Sequence, residues 1–292
     1  MKTLLALILF AAAFNAQAEQ IDKALTADAD GDIRIEVIEG KVLVEGWDKS
    51  EIRVKGDVPN AEEFVFKTSG SQTKIEVESK HGFWGGRRGG GYAKLVVYAP
   101  RDSAINIEGA SSSFVITGMN GKVDASSMSG DITLKGGRGK IELESVSGDI
   151  EVIDALGRIN LSSVSGDIAA KVEAEYFEAQ SVSGSIDASI GRSDHVQLSS
   201  VSGDIDLVFE MTDGGELDAD TVSGNIDVKF LNKDLDATFE IETGPGGDVR
   251  NRITADRSTS FMSFSGSLEF KVGKGNGSVD LETMSGTIEI DR

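Results

Sequence analysis

Apolar and polar residues alternate with a period of two along most of the chain, the pattern typical of β-strands that bury one face. The clearest segments join two such strands through a short turn, as in KIELES followed by VSGD and then IEV. Only three prolines occur against 35 glycines. The pattern predicts many short strands connected by tight turns, and no long helix.

The turn motif recurs at regular intervals through the second half of the chain. The copies are MSGDI from Met128, VSGDI from Val146, Val164 and Val201, VSGSI from Val182, VSGNI from Val222, FSGSL from Phe264 and MSGTI from Met284. Their glycines are separated by 18, 18, 18, 19, 21, 42 and 20 residues, so we place one degenerate copy near Gly246 and Gly247. A unit of this size cannot bury its apolar face alone and must stack on its neighbours.

Aligned in register, the repeats form apolar columns. The first contains Ile132, Ile150, Ile168, Ile186, Ile205, Ile226, Leu268 and Ile288, and the second contains Ile141, Ile159, Phe177, Val196, Leu217 and Val279. We expect the repeat glycine to supply a positive φ at a corner. A left-handed hexapeptide helix needs an aliphatic residue every six positions, and counting from Ile150 reaches Ser162. The predicted fold is an all-β, single-stranded β-solenoid (β-helix) of about nine to ten rungs. A right-handed or flattened path is favoured, and the handedness stays open.

Three segments are predicted along the chain. Residues 1–18 combine Lys2, an apolar run and Ala16-Gln17-Ala18, which is typical of a cleaved signal peptide and predicts an exported protein with no transmembrane segment after cleavage. Residues 19–100 contain longer alternating strands with hairpin spacing, which predict an N-terminal antiparallel β cap carrying a Gly-rich loop at 79–94. Residues 101–292 form the solenoid, and because the chain stops just after a repeat, we expect that end to be uncapped and to serve as an interface.

Composition narrows the chemistry. With 29 basic and 49 acidic residues the net charge is −20, which excludes a nucleic-acid partner because phosphate binding needs a basic footprint. The chain has no cysteine, and His81 and His195 have no ligand-spaced companion. We therefore predict no catalytic residue, no cofactor and no enzyme activity.

Two groups of residues are candidates for binding. Asp131, Asp149, Asp167 and Asp204 follow the repeat glycines and could align oxygen ligands for calcium, although Ser185 interrupts the row and turn formation explains the residues equally. In the Gly-rich loop, aromatic and basic side chains could recognise a sugar or a protein, or the loop could fold back over the cap. These partner-binding candidates are Phe83, Trp84, Arg87, Arg88 and Tyr92.

The segments GKVLVEGWDKSEIRVKG and LVVYAPRDSAINIEGASSS, followed by the tandem V-S-G-D-I turns, resemble a bacterial putative-adhesin family of unknown function. The resemblance spans about residues 30 to 292. It implies an envelope or surface β-solenoid and transfers no catalytic residue.

The leading hypothesis is a non-catalytic cell-envelope scaffold, in the periplasm or on the cell surface. Its partner would be an unidentified protein, a glycan or another copy of the chain. The alternative is a carbohydrate-active β-helix, such as a polysaccharide lyase or hydrolase. Such an enzyme should interrupt its repeat with long loops around a middle rung, whereas residues 126–202 are the most regular part of this chain, which favours the scaffold.

Overall fold

The computed structural model describes residues 19–58, 64–77, 92–261 and 265–292. The predicted signal peptide and most of the Gly-rich loop lie outside these ranges. The described residues form strands joined by turns, without a helix, which confirms the all-β solenoid prediction.

The strands fall into three groups along the chain. The N-terminal group is β1 (Glu19–Thr26), β2 (Asp32–Trp47), β3 (Glu51–Val58), β4 (Phe64–Ser69), β5 (Gln72–Val77) and β6 (Ala93–Pro100). The middle group is β7 (Ala104–Thr117), β8 (Val123–Ser127), β9 (Ile132–Lys135), β10 (Arg138–Ser145), β11 (Ile150–Ser163), β12 (Ile168–Ser181), β13 (Ile186–Ser202) and β14 (Ile205–Ser223). The C-terminal group is β15 (Ile226–Phe230), β16 (Ala237–Thr243), β17 (Asp248–Asn251), β18 (Thr259–Phe261), β19 (Ser265–Val272), β20 (Gly277–Thr283) and β21 (Thr287–Asp291).

The middle strands stack in parallel, one repeat above the next, as the columns predict. Ile150 pairs with Ile132 on one side and with Ile168 on the other, and the same register continues through Ile186 to Ile205. All five side chains are at most 1% exposed. Inward-facing aliphatic residues from successive rungs therefore form one continuous core, in which each rung covers the apolar face of its neighbours.

A buried hydroxyl and a glycine form each corner. The Ser163 side chain is 2% exposed, and the Gly166 N–H donates to its Oγ over 2.9 Å. The repeat glycines do not have positive φ, contrary to our expectation. They are required for a different reason: a Cβ on Gly166 would overlap the backbone carbonyl of Gly148 in the preceding rung. Close stacking of the corners, not turn handedness, selects glycine here.

At the N-terminal end, antiparallel pairing is confined to the outer strands. β2 pairs in parallel with β7 on one side and with both β5 and β6 on the other. β4 is antiparallel to β5, while β3 is antiparallel to β6 and to β1. β2 is therefore an inner rung, although it precedes the outer rung β5–β6 in the chain.

The C-terminal end uses the same arrangement in reverse. β20 lies between β14 and β16, and β21 lies between β15 and β17, all in parallel. β19 then covers β16 in antiparallel pairing, so FSGSLEF is not a stacked repeat and Leu268 lies opposite Ile241 instead of in the first column. Our expectation of an uncapped end formed by the last repeat is wrong: the last repeat is an inner rung, and earlier residues cover it.

Candidate functional site: an apolar ridge between acidic rows

A ridge of apolar side chains runs along one corner of the solenoid. We define the corner ridge as the residue before Ser-Gly in seven stacked repeats, each with 43% to 64% of its surface exposed. Its members, in spatial order, are Met128, Val146, Val164, Val182, Val201, Val222 and Met284. At about 4.8 Å per rung, the ridge is about 29 Å long.

Backbone pairing fixes the position of each ridge residue. The Val164 N–H donates to the Ser145 carbonyl over 3.1 Å, and the Val182 N–H donates to the Ser163 carbonyl over 3.2 Å. Because the preceding Ser or Thr turns inward, the ridge residue must face outward. Beyond Met284 the column ends at Gly244, which pairs with Thr283 in the last inner rung. Polar alternation does not account for an apolar residue at this outward position in every repeat, and exposed apolar patches of this extent mark interaction sites.

Carboxylates border the ridge on both sides. Three residues after the ridge stand Asp131, Asp149, Asp167 and Asp204, and two residues before it stand Glu144, Asp220 and Glu282. These two rows contain no lysine or arginine over the seven rungs. The corner ridge is therefore an apolar strip between negative margins.

The candidate calcium residues have a structural partner. The Asp167 N–H donates to Asp149 Oδ1 over 3.0 Å, and the Ser185 N–H donates to Asp167 Oδ1 over 2.9 Å. The same bond links Asn225 to Asp204 over 2.7 Å. In the described ranges, no three acidic or histidine side chains are grouped to hold a metal. The carboxylates thus tie one corner to the next, and calcium binding by them remains a prediction.

A second acidic column crosses the face that follows the corner. Asp206 pairs with Asp187 and Asp227 in adjacent strands, and Asp227 pairs with Glu289. Burial, and then the charges of Asp187 and Asp204, raise the pKa of the Asp206 carboxyl. Burial, and then Asp206 and Glu289, raise the pKa of Asp227. Like charges held one strand apart repel each other, so this face attracts cationic groups.

An aromatic and charged ladder lies on the strand segments that precede the corner in each rung. The Arg158 guanidinium lies 4.0 Å from the Tyr176 ring centroid, and that ring stacks on His195 at 4.8 Å. His195 Nδ1 is 3.1 Å from a Glu216 carboxylate oxygen. Each of these side chains contacts a side chain of the neighbouring rung. His195 therefore takes part in a surface contact between rungs.

A cleft of about 560 Å³ with charges of both signs lies at the N-terminal end of the solenoid, lined by residues of β2, β4, β5, β7 and β8. Lys74 lies opposite Lys67 on one strand and Arg34 on another. Glu36 is 2.6 Å from the Arg34 Nε and 3.7 Å from the Lys74 Nζ. The cations of this cleft are thus largely neutralised by neighbouring carboxylates, and the corner ridge is the stronger candidate.

The structure describes the corner ridge in full but only one of the five predicted binding residues of the Gly-rich loop. Phe83, Trp84, Arg87 and Arg88 lie outside the described residues, and Tyr92, at the edge of the loop, is 49% exposed. Their role in binding remains a prediction. The corner ridge was missed, although its signal was present in the sequence: a Val or Met precedes Ser-Gly in seven repeats.

The Toastrack DUF4097 model matches residues 31–291. No curated protein matches the chain. Within the described ranges there is no helix with the length and apolarity to span a bilayer.

Solved structures with similar folds share little sequence with this chain. A putative adhesin from Bacteroides fragilis is 13% identical with a TM-score of 0.49, covering 93% of this chain and 97% of its own. A putative lipid binding protein from Parabacteroides distasonis is 14% identical with a TM-score of 0.43, covering 93% and 96%. A putative cell adhesion protein from Clostridium sporogenes is 11% identical with a TM-score of 0.32, covering 94% and 99%. Because the family model covers residues 31–291, this chain belongs to the Toastrack DUF4097 family.

Proposed function

We propose that this protein is a non-catalytic, exported cell-envelope scaffold that binds a protein partner along its corner ridge. The single observation that supports the proposal most directly is the ridge itself, seven apolar side chains exposed by 43% to 64% on an otherwise polar corner. The apparent signal peptide supports export, and the absence of cysteine is compatible with a fold that relies on burial and backbone pairing alone.

A rigid ladder suits this role. The ridge residues are fixed by backbone hydrogen bonds between rungs, so a partner meets a preformed straight strip and little conformational entropy is lost on binding. A few well-packed, fully desolvated contacts near the centre of a protein interface supply most of its binding energy, and charged groups at the rim set orientation and specificity. The ridge and its acidic margins have this division of roles.

The test compares captures from envelope extracts by the chain spanning residues 19–292. The ridge variant is Val164→Thr/Val182→Thr/Val201→Thr, which keeps β-branched side chains at exposed positions. The matched control, Ile153→Thr/Val208→Thr/Leu231→Thr, removes three apolar side chains away from the ridge. We expect one or more proteins captured by the wild type and the control to be lost with the ridge variant.

A parallel variant, Phe83→Ala/Trp84→Ala/Arg87→Ala/Arg88→Ala, tests the Gly-rich loop. Capture that depends on this loop and not on the ridge would contradict the ridge as the binding element. A glycan array with the same variants covers sugar recognition, and turnover of a polysaccharide by the wild type would overturn the non-catalytic assignment.

A further inference from the structure

The corner ridge has the dimensions and charge to select one kind of partner. We propose that it binds a basic amphipathic helix of about 20 residues, a length that spans the ridge at 1.5 Å per residue. This inference rests on the proposed function and adds the chemistry of the partner.

The length and spacing of the apolar ridge determine the shape that the partner should have. Its seven side chains form a single line about 29 Å long, with one residue per rung at about 4.8 Å. A helix presents an apolar stripe at positions i, i+3, i+4 and i+7, with a pitch of about 5.4 Å. The two spacings differ by about 0.6 Å per step, which adds up to about 3.6 Å over the six steps of the ridge, so turns and rungs do not stay in one-to-one register. The apolar stripe of a helix is continuous, however, and a helix lying along the corner therefore covers the ridge with apolar groups.

The acidic rows on both sides of the ridge determine the charge that the partner should carry. The two bordering rows contain seven carboxylates and no cation, and the Asp206 column adds further negative charge beyond one of them. A helix with lysine or arginine on both flanks of its apolar stripe would place cations over both rows. An anionic membrane surface would meet charge repulsion there, and so would the ridge of a second copy.

Binding is measured by fluorescence anisotropy with a labelled 20-residue peptide that carries leucine at stripe positions and lysine elsewhere. One control peptide has glutamate in place of lysine, and another has the same composition with leucines shuffled so that no stripe forms. We expect binding of the lysine stripe peptide only, weakened about tenfold by the ridge variant and unchanged by the off-ridge control, where tenfold corresponds to about 1.4 kcal/mol.

A second variant isolates the charge. Asp149→Asn/Asp167→Asn keeps the side-chain oxygens that accept backbone N–H groups and removes two carboxylates. We expect weaker peptide binding and a smaller effect of added salt, because fewer charges remain to be screened. Circular dichroism and melting curves confirm that each variant is folded.

Equal binding of the shuffled or glutamate peptide, or undiminished binding by the ridge variant, would overturn the helix assignment. If the peptide does not bind while the ridge variant still loses its envelope partner, the proposed function stands and this inference fails. If the ridge variant loses neither the peptide nor an envelope partner, both fail. Ridge-dependent dimers in sedimentation would replace the basic helix with a second copy.

Discussion

Deletion of residues 277–292 removes an inner rung and not a frayed end, because β20 and β21 lie between strands on both sides. Val279, Leu281, Ile288 and Ile290 are at most 1% exposed. Burial of such a side chain contributes about 1.5–3 kcal/mol, so the four together account for about 6–12 kcal/mol. That range is comparable to the whole stability of a typical domain, about 5–15 kcal/mol.

Hydrogen exchange with mass spectrometry reads the outcome segment by segment. In the truncated chain we expect β16 and β17 to lose protection, because both rest on the deleted rung, while β11 to β13 stay protected. Adding the peptide 277–292 should restore protection of β16. The control deletes residues 19–26, which pair only with β3, and should leave the rest of the chain protected. Full protection of β16 in the truncated chain without added peptide would refute the intercalated position of the last rung.

Three further substitutions test the corners and the acidic face. Gly166→Ala should lower the free energy of unfolding, measured in urea, by about 1–3 kcal/mol, because its Cβ would overlap the Gly148 carbonyl. Gly214 lies in open space at a φ of 75°, so Gly214→Ala should lower that free energy by about 1–2 kcal/mol through backbone strain alone and leave the corner spacing unchanged. A crystal structure of Gly166→Ala with an unshifted corner would contradict the stacking explanation. Ser163→Ala leaves the Gly166 N–H without its acceptor and should lower the free energy of unfolding by about 1–3 kcal/mol. Ser165 is exposed, so Ser165→Ala should leave the stability unchanged. Equal effects of the two substitutions would argue against a stabilising role of the buried hydrogen bond. Asp206→Asn should stabilise by about 0.2–1 kcal/mol at pH 7 through relief of like-charge pairing. Because the folded-state pKa of Asp206 is raised, the wild type gains stability as the pH falls through that pKa. The extra stability of Asp206→Asn should therefore shrink towards pH 4. Extra stability that does not change with pH would contradict repulsion among these carboxylates as its cause.

The sequence predicted the middle of the fold well because its signals are local and repeated. Each strand alternates, each corner carries Ser-Gly, and a constant spacing leaves one register for Ile150, Ile168 and Ile186. The order of rungs at the ends is not a local property. Leu281 and Ile241 both occupy inward positions of short alternating strands, so the alternation alone does not say which of the two strands packs beside Ala219. Only packing of the whole end selects the observed order.

The site was harder to predict than the core for a related reason. Counting inward and outward positions along the strand carries the alternation from Leu161 to a buried Ser163 and an exposed Val164. The polarity of the two side chains predicts the opposite placement, because a valine normally faces the core and a serine the solvent. The stacked rungs resolve this conflict, and seven similar residues then form one surface.

The two intercalated ends also bear on which surfaces are available. An uncovered inner rung would present a full row of unpaired backbone groups and invite edge-to-edge association. Here β2 and β20 are inner rungs, and antiparallel strands cover β5, β6 and β16 in the outer rungs next to them. β1 keeps an open edge of eight residues, on which Glu19, Asp22 and Lys23 are exposed, and charged side chains on an edge strand oppose pairing between copies. Because the inner rungs are covered, most of the solenoid presents side chains and not free backbone groups, and the corner ridge is the longest apolar strip among them within the described residues.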